Sequence, residues 1–194
     1  VMVVSQESYL QQLPAMIERF EQAGYTDAFF HLAIFNETQL EEIPLYRSRF
    51  GVTSFKAFMY GIPGIVPSLE DDFLLDLMEA VSALGPEAVL NVHAENHRLV
   101  ARATRNLQKR SPWELTVAEW REAHPTYSEG EAVKRALHLA KASGVTLYFV
   151  HISSAETIPI IESERIAGTH FYAETTSPYL SLSTESGIDA LYKM

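Results

Sequence analysis

The chain has 194 residues, 47% hydrophobic and 21% charged, with a formal net charge of -10 and no cysteine. This is enough apolar material for a sizeable core. The negative charge argues against nucleic acid or an acidic membrane as partner, and the missing thiols exclude a disulfide framework and a thiolate metal site.

Val1–Val4 is a short β-branched run, closer to the end of a strand than to the start of a protein. Ser5–Ala23 reads as a helix, with Pro14 offering a restart and Gly24 the stop. Ala28–Phe35 reads as a strand, Thr38–Phe50 as a helix ended by Gly51, and Thr53–Met59 as a strand holding Lys56. After a Gly/Pro loop over Gly61–Pro67, Ser68 stands as N-cap with Asp71 three residues on. Phe73, Leu74, Leu77, Met78, Val81 and Leu84 then share one helical face, and Gly85 ends it. Ala88–His93 is a strand and Glu95–Lys109 a helix. Ser111–Tyr127 breaks the rhythm with prolines and both tryptophans, and carries a short helix around Val117–Ala123. Ser128 with Glu131 forms a capping box before the helix Glu129–Ser143, stopped by Gly144. Thr146–His151 is a strand, Ala155–Ala167 a helix, His170–Glu174 a strand, and the tail holds one more weak helix.

Apolar strands alternating with helices imply an α/β fold with a covered parallel sheet. Doubly wound sheets and (β/α)8 barrels both give this rhythm, and fewer strands are countable than a closed barrel needs. No linker divides the chain, so 1–194 reads as a single domain. No apolar run is long enough for a membrane span, and no leader is recognisable, so a cytoplasmic location is expected.

Three strands carry a basic residue near the C-terminal end: Lys56, His93 and His151. Each shares a face with the residue two positions earlier, Ser54, Asn91 and Phe149. In a parallel α/β protein that end is where ligands and catalytic groups gather. Two imidazoles begin a zinc-type site, and an ammonium cannot ligate a cation. Carbamylation by CO2 would turn Lys56 into a carboxylate able to bridge two metal ions for hydrolysis by an activated water. The alternative is a lysine that snorkels to the sheet edge, and spacing alone leaves both open. His31 is expected to be structural. His97, His138 and His170 are not read as ligands. His124, ahead of a proline in the long loop, has two readings, the mouth of an active site and the surface, of which the surface is favoured. Glu95 and Glu174 are either partners that orient an imidazole or ordinary acids at helix starts.

Four segments, "GVTSFKAFM", "NVHAEN", "EGEAVKRALHLAKASGVTLYFVHISS" and "YAETTSPYLSL", resemble the dihydropyrimidinase, hydantoinase and allantoinase branch of the amidohydrolase superfamily, close to the dihydroorotases. The likeness runs in order from about Asp27 to the end. It implies a (β/α)8 barrel with two divalent metal ions, usually zinc, that opens a small cyclic amide or ureide, in an enzyme expected to be a homo-oligomer. Lys56 matches the carboxylated lysine that bridges the metals, and His93 and His151 match the pair that holds one of them. Tyr60 falls near a tyrosine that binds substrate. "HPTYSEGEA" lacks the family's arginine, and "ETTSPYL" stands where "ETCPHYL" is commoner.

The family's first-strand His-x-His pair and its last-strand aspartate, the general acid/base, have no counterpart in 1–194. The resemblance therefore implies an incomplete barrel, from roughly the end of the second strand through the seventh. It also implies that the chain alone does not turn over substrate, is poor in metal and keeps Lys56 as an unmodified amine. The alternatives are an allantoinase or dihydroorotase, or a non-catalytic dihydropyrimidinase-like scaffold. Retention of Lys56, His93 and His151 together favours the enzyme.

Overall fold

The computed structural model describes residues 1–62, 64–110 and 116–182. In chain order the elements are β1 (Met2–Val3), α1 (Tyr9–Ala23), β2 (His31–Ala33), α2 (Glu37–Glu41), α3 (Ile43–Phe50), β3 (Ser54–Phe58), α4 (Asp71–Ser82) and β4 (Val89–His93). There follow α5 (His97–Arg110), α6 (Val117–Ala123), α7 (Thr126–Ser143), β5 (Thr146–Phe149), a 3-10 turn (Ala155–Thr157), α8 (Ile158–Ile166), β6 (Phe171–Ala173) and α9 (Ser177–Ser181). Among the described residues no helix is long and apolar enough to cross a membrane.

All six strands are parallel, and each pairs with the next in chain order. A doubly wound sheet reverses its order at a switch point; this sheet does not. Successive crossovers of one hand deliver the helices to one face, as in a TIM-type barrel. Among the described strands β1 and β6 do not pair, so the sheet is not closed.

Strand alternation divides the side chains between two environments. Leu32, Phe55, Leu90, Leu147 and Phe149 are fully buried against Leu13, Tyr46, Leu74, Leu77, Met78 and Leu137 of the helices. Each such side chain contributes roughly 1.5–3 kcal/mol by leaving water. The other face is polar. Register sets Ala33 beside Lys56, Lys56 beside Asn91, and Asn91 beside Tyr148.

Several boundaries differ from the sequence expectation, each for a local reason. Helix α1 starts at Tyr9, because the Ser8 hydroxyl accepts from the Leu10 N–H. Pro14 lies inside it without a restart; burial of Tyr9 and Leu13 offsets the roughly 3 kcal/mol a mid-helix proline costs. The helix expected over Thr38–Phe50 is two helices, since Pro44 has no N–H for the Leu40 carbonyl. Ser68 is not a cap: the next residue, Leu69, donates its N–H to the Phe58 carbonyl at 2.8 Å, and α4 begins only at Asp71. The Ser128–Glu131 capping box is also absent, because α7 starts at Thr126 and its first turn includes Ser128. A capping box does form between Thr116 and Glu119 ahead of α6. Residues 111–115, with Trp113, lie outside the described residues, as does any tail helix over 183–194.

Candidate functional site

The polar face of the sheet borders a cavity of about 610 Å³, lined among others by His31, Ser54, Lys56, Asn91, Tyr148, His151 and Glu174. A short hydrogen-bonded chain fixes its floor. Ser54 Oγ lies 2.6 Å from His31 Nδ1, and Asn91 Nδ2 donates to Ser54 Oγ at 2.7 Å and to the Phe55 carbonyl at 2.9 Å. On the far side Tyr148 donates to Glu174 at 2.8 Å. His31 thus serves the network expected of a structural histidine, facing the cavity.

Lys56 is 5% exposed, and its Nζ sits 5.0 Å from the centroid of the Phe58 ring. No carboxylate among the described residues pairs with it. Burial draws its pKa down from 10.5 to about 7, and the charge of Glu174 resists only in part. Much of the amine is therefore uncharged near neutrality, which is the nucleophilic form that adds CO2.

His93 ends β4, opposite Phe58 in register. His151 reaches the same place by another route. Strict alternation would put it with Phe149, on the helix-packed face. Instead the strand ends at Phe149, and His151 takes a left-handed backbone, φ 45°, the single positive φ outside glycine among the described residues. That turn brings His151 Nε2 to 3.1 Å from His93 Nδ1. Burial, then the charges of His93 and Lys56, lower the His151 pKa to about 4, so its ring is neutral. Two bonds of about 2.0–2.1 Å to one ion, at tetrahedral to octahedral angles, separate their donor atoms by about 2.9–3.4 Å. The nitrogen pair fits that span. Among the described residues no three His, Asp or Glu side chains close on one point, so the pair is a partial donor set.

His93 Nε2, the other ring nitrogen, is buried without a hydrogen-bond partner, and the nearest acid, Glu95, has Oε2 at 3.6 Å. Glu95 accepts from His124 Nδ1 at 2.9 Å and from Ser128 Oγ at 3.1 Å. Burial alone would raise its pKa, but the His124 hydrogen bond and the charges of the nearby His124 and His93 rings outweigh it and hold the carboxyl at about 2. Glu95 is thus a fixed carboxylate behind His93.

Tyr60, just beyond β3, lies with its ring 6.1 Å from that of His93, 5.7 Å from His97 and 5.3 Å from His124. His124 was expected at the surface; it is part of this cluster, stacked on Trp120 at 4.7 Å and bonded to Glu95. A histidine ahead of a proline in a long irregular segment was its one sequence signal. His138 lies on α7 in a groove with Glu131, Lys134 and Glu164, and His170 packs on Tyr172; neither approaches the imidazole pair. For Ser128 and Glu129 the sequence carries only a helix-start signal.

No family model matches the chain. It is 32% identical to a D-hydantoinase of Streptomyces coelicolor over 82% of its own length and 33% of that protein. It is 35% identical to a D-hydantoinase of Geobacillus stearothermophilus, over 80% of its length and 32% of the relative. It is also 35% identical to an allantoinase of Solibacter usitatus, over 72% and 30%. The crystal structure of a dihydropyrimidinase from Brevibacillus agri superposes with a TM-score of 0.80 at 28% identity, covering 94% of this chain and 39% of that one. A D-hydantoinase from Bacillus sp. AR9 gives 0.82 at 29%. The chain spans about a third of the length of the curated relatives it matches.

Proposed function

The chain fits the cyclic-amidase branch of the amidohydrolase superfamily, as a homologue of hydantoinases, dihydropyrimidinases and allantoinases, and we propose that it supplies part of the metal centre of a hydrolase that opens a cyclic amide. In this reading its six strands are the interior strands of the barrel, and the remaining metal-holding side chains and the acid/base aspartate come from outside 1–194. His93 and His151 would hold one divalent ion, zinc by the chemistry of an all-imidazole start. Lys56, carbamylated, would bridge it to a second. When bound, such a pair polarises a ring carbonyl and activates water.

The chain's own residues do the rest. The uncharged form of the Lys56 amine would add CO2, its nitrogen forming the N–C bond as one C=O π bond opens, and would release one proton to solvent to leave the carbamate. Its burial beside Phe58 then leaves the carbamate no counter-charge except a cation. Neutral His151 offers a lone pair across the pKa range of ordinary imidazole. Tyr60 stands at the rim, where its hydroxyl, held protonated by burial and by the Glu95 charge, can donate to a substrate oxygen.

The observation that carries the reading is the 3.1 Å approach of two ring nitrogens, one at the end of β4 and one in the loop after β5. Calorimetric titration with Zn2+ tests it. The chain should bind, and His93→Ala or His151→Ala should weaken binding at least about tenfold. Equal affinity in all three proteins would overturn the assignment. Assayed with hydantoin, dihydrouracil and allantoin, residues 1–194 alone should show no turnover, because the general acid/base is missing. Turnover by the isolated chain would show that the proposed division of the site is wrong.

A further inference from the structure

The two histidines lie 58 residues apart in the chain, and nothing in strand pairing sets their mutual distance. His93 ends β4, while His151 lies in the loop after β5 on an unusual backbone. Both surroundings are tied to one place, the first turn of α7. Ser128 is fully buried, and its hydroxyl donates to Glu95, the carboxylate behind His93. Its carbonyl accepts the N–H of Asn96, one residue further, at 3.0 Å. The next residue, Glu129, faces the other loop. Its Oε2 accepts from the Ser153 N–H and hydroxyl, both at 2.8 Å, and its Oε1 accepts from the Ser154 N–H at 2.9 Å and the Thr157 hydroxyl at 2.6 Å. One carboxylate thus takes four hydrogen bonds from the segment that begins two residues after His151. Gly130 lets the helix come this close: a Cβ there would meet Ile160 Cδ1 at 3.1 Å and Thr157 Oγ1 at 3.7 Å.

We propose that Ser128 and Glu129 are positioning residues, a two-armed clamp on α7 that holds the His93 and His151 imidazoles at ligand spacing. The physical reason is strain. A non-glycine residue at positive φ persists only where its surroundings over-determine it: the Ile152 N–H donates to the Glu174 carbonyl at 2.7 Å, and Glu129 fastens the chain from Ser153 onward. Charge-assisted hydrogen bonds to backbone N–H groups are about twice as strong as neutral ones, so an acid serves here better than an amide. The proposal rests on the reading of His93 and His151 as ligands, and it concerns their preorganisation rather than their identity.

Glu129→Gln separates the two. It keeps the shape, halves the acceptors and turns an amide donor toward N–H and O–H donors. Hydrogen exchange at the Ser153 and Ser154 amides should accelerate at least about tenfold in the metal-free protein. Zn2+ affinity should fall about 10–100-fold, the range for residues that orient a ligand. Ser128→Ala should fall less, because His124 still holds Glu95. Tyr46→Phe, which removes a remote hydrogen bond to Glu42, should leave zinc affinity unchanged, so a general loss of stability is told apart from misplacement. If Glu129→Gln does not fold, Thr157→Val removes one of the four donors and carries the same test. Unchanged zinc affinity in Glu129→Gln, with His151→Ala weakened, overturns the clamp. If His151→Ala binds zinc like the wild type, the ligand reading fails instead, and the amide exchange alone decides the clamp: unchanged exchange overturns it too.

Discussion

Tyr148 and Phe149 are neighbours in one strand and belong to different chemistries. Phe149 points into the helix layer and is fully buried. Tyr148 borders the cavity, stacks on Tyr172 at 6.0 Å and donates to Glu174. The same split runs through β3, where Phe55 and Ala57 pack and Ser54 and Lys56 do not. One face of the sheet lowers the free energy of folding. The other spends some of it on an uncharged amine, a hydrogen-bonded floor and paired imidazoles. The lesson is that substitutions one residue apart should move stability and ligand binding in opposite directions.

The largest effect should come from the packed face. Phe149→Ala should cost about 3–5 kcal/mol of stability in urea unfolding, through lost burial and a cavity. A loss under about 1 kcal/mol would mean that the helix layer is not the main source of stability.

Next is the polar atom buried on the packed side. Tyr9 donates to the Ala33 carbonyl at 2.6 Å, and burial pushes its hydroxyl up to about 12. The unfolded chain titrates near 10, so the folded state holds the proton more tightly. The contribution, about 2–3 kcal/mol, is complete below pH 10 and is lost as pH rises through 12. Tyr9→Phe should remove that alkaline step, and an unchanged step would assign it elsewhere.

On the cavity face the sign reverses. Lys56→Met should stabilise the metal-free chain by about 1–3 kcal/mol by removing a buried amine without an ion partner, while abolishing zinc bridging. A destabilised Lys56→Met would show that the amine has a partner which the geometry does not reveal. The smallest effect belongs to Gly130→Ala. Its gain in helix propensity, up to about 1 kcal/mol, opposes the close approach to Ile160. The net change in melting should be under about 1 kcal/mol, and a larger loss would make the spacing of α7 and α8 tighter than the contact at 3.1 Å implies.

The parallel α/β order was legible because apolar strand runs and 3.6-period faces alternate from Val1 to Glu174, apart from the break over Ser111–Tyr127. Helix stops at Gly51 and Gly144 were legible too, since both sit at φ near 70°, where a side chain is costly. Caps were less so. Ser68 and Ser128 look like N-caps by spacing, but one precedes a strand-tied segment and the other is inside a helix that Pro125 had already begun. A cap is decided by where the backbone enters the helix, and that depends on contacts distant in sequence.

The sequence by itself determined which face of its strand each residue takes: Lys56 and His93 on the cavity face follow from alternation, a local property of extended chain, although Lys56 lies mid-strand beside Asn91 and only His93 ends its strand. Only the tertiary structure decided how His151 reaches His93, because its left-handed backbone breaks the alternation and the segment from Ser153 onward is held by Glu129 of α7. The same holds for His124, which reaches Glu95 across 29 residues. The consecutive strand order was also a tertiary decision, since apolar runs alone do not say which neighbour each strand pairs with. Periodicity is written residue by residue, whereas pairing and clamping are written in contacts between segments that no single window of sequence contains.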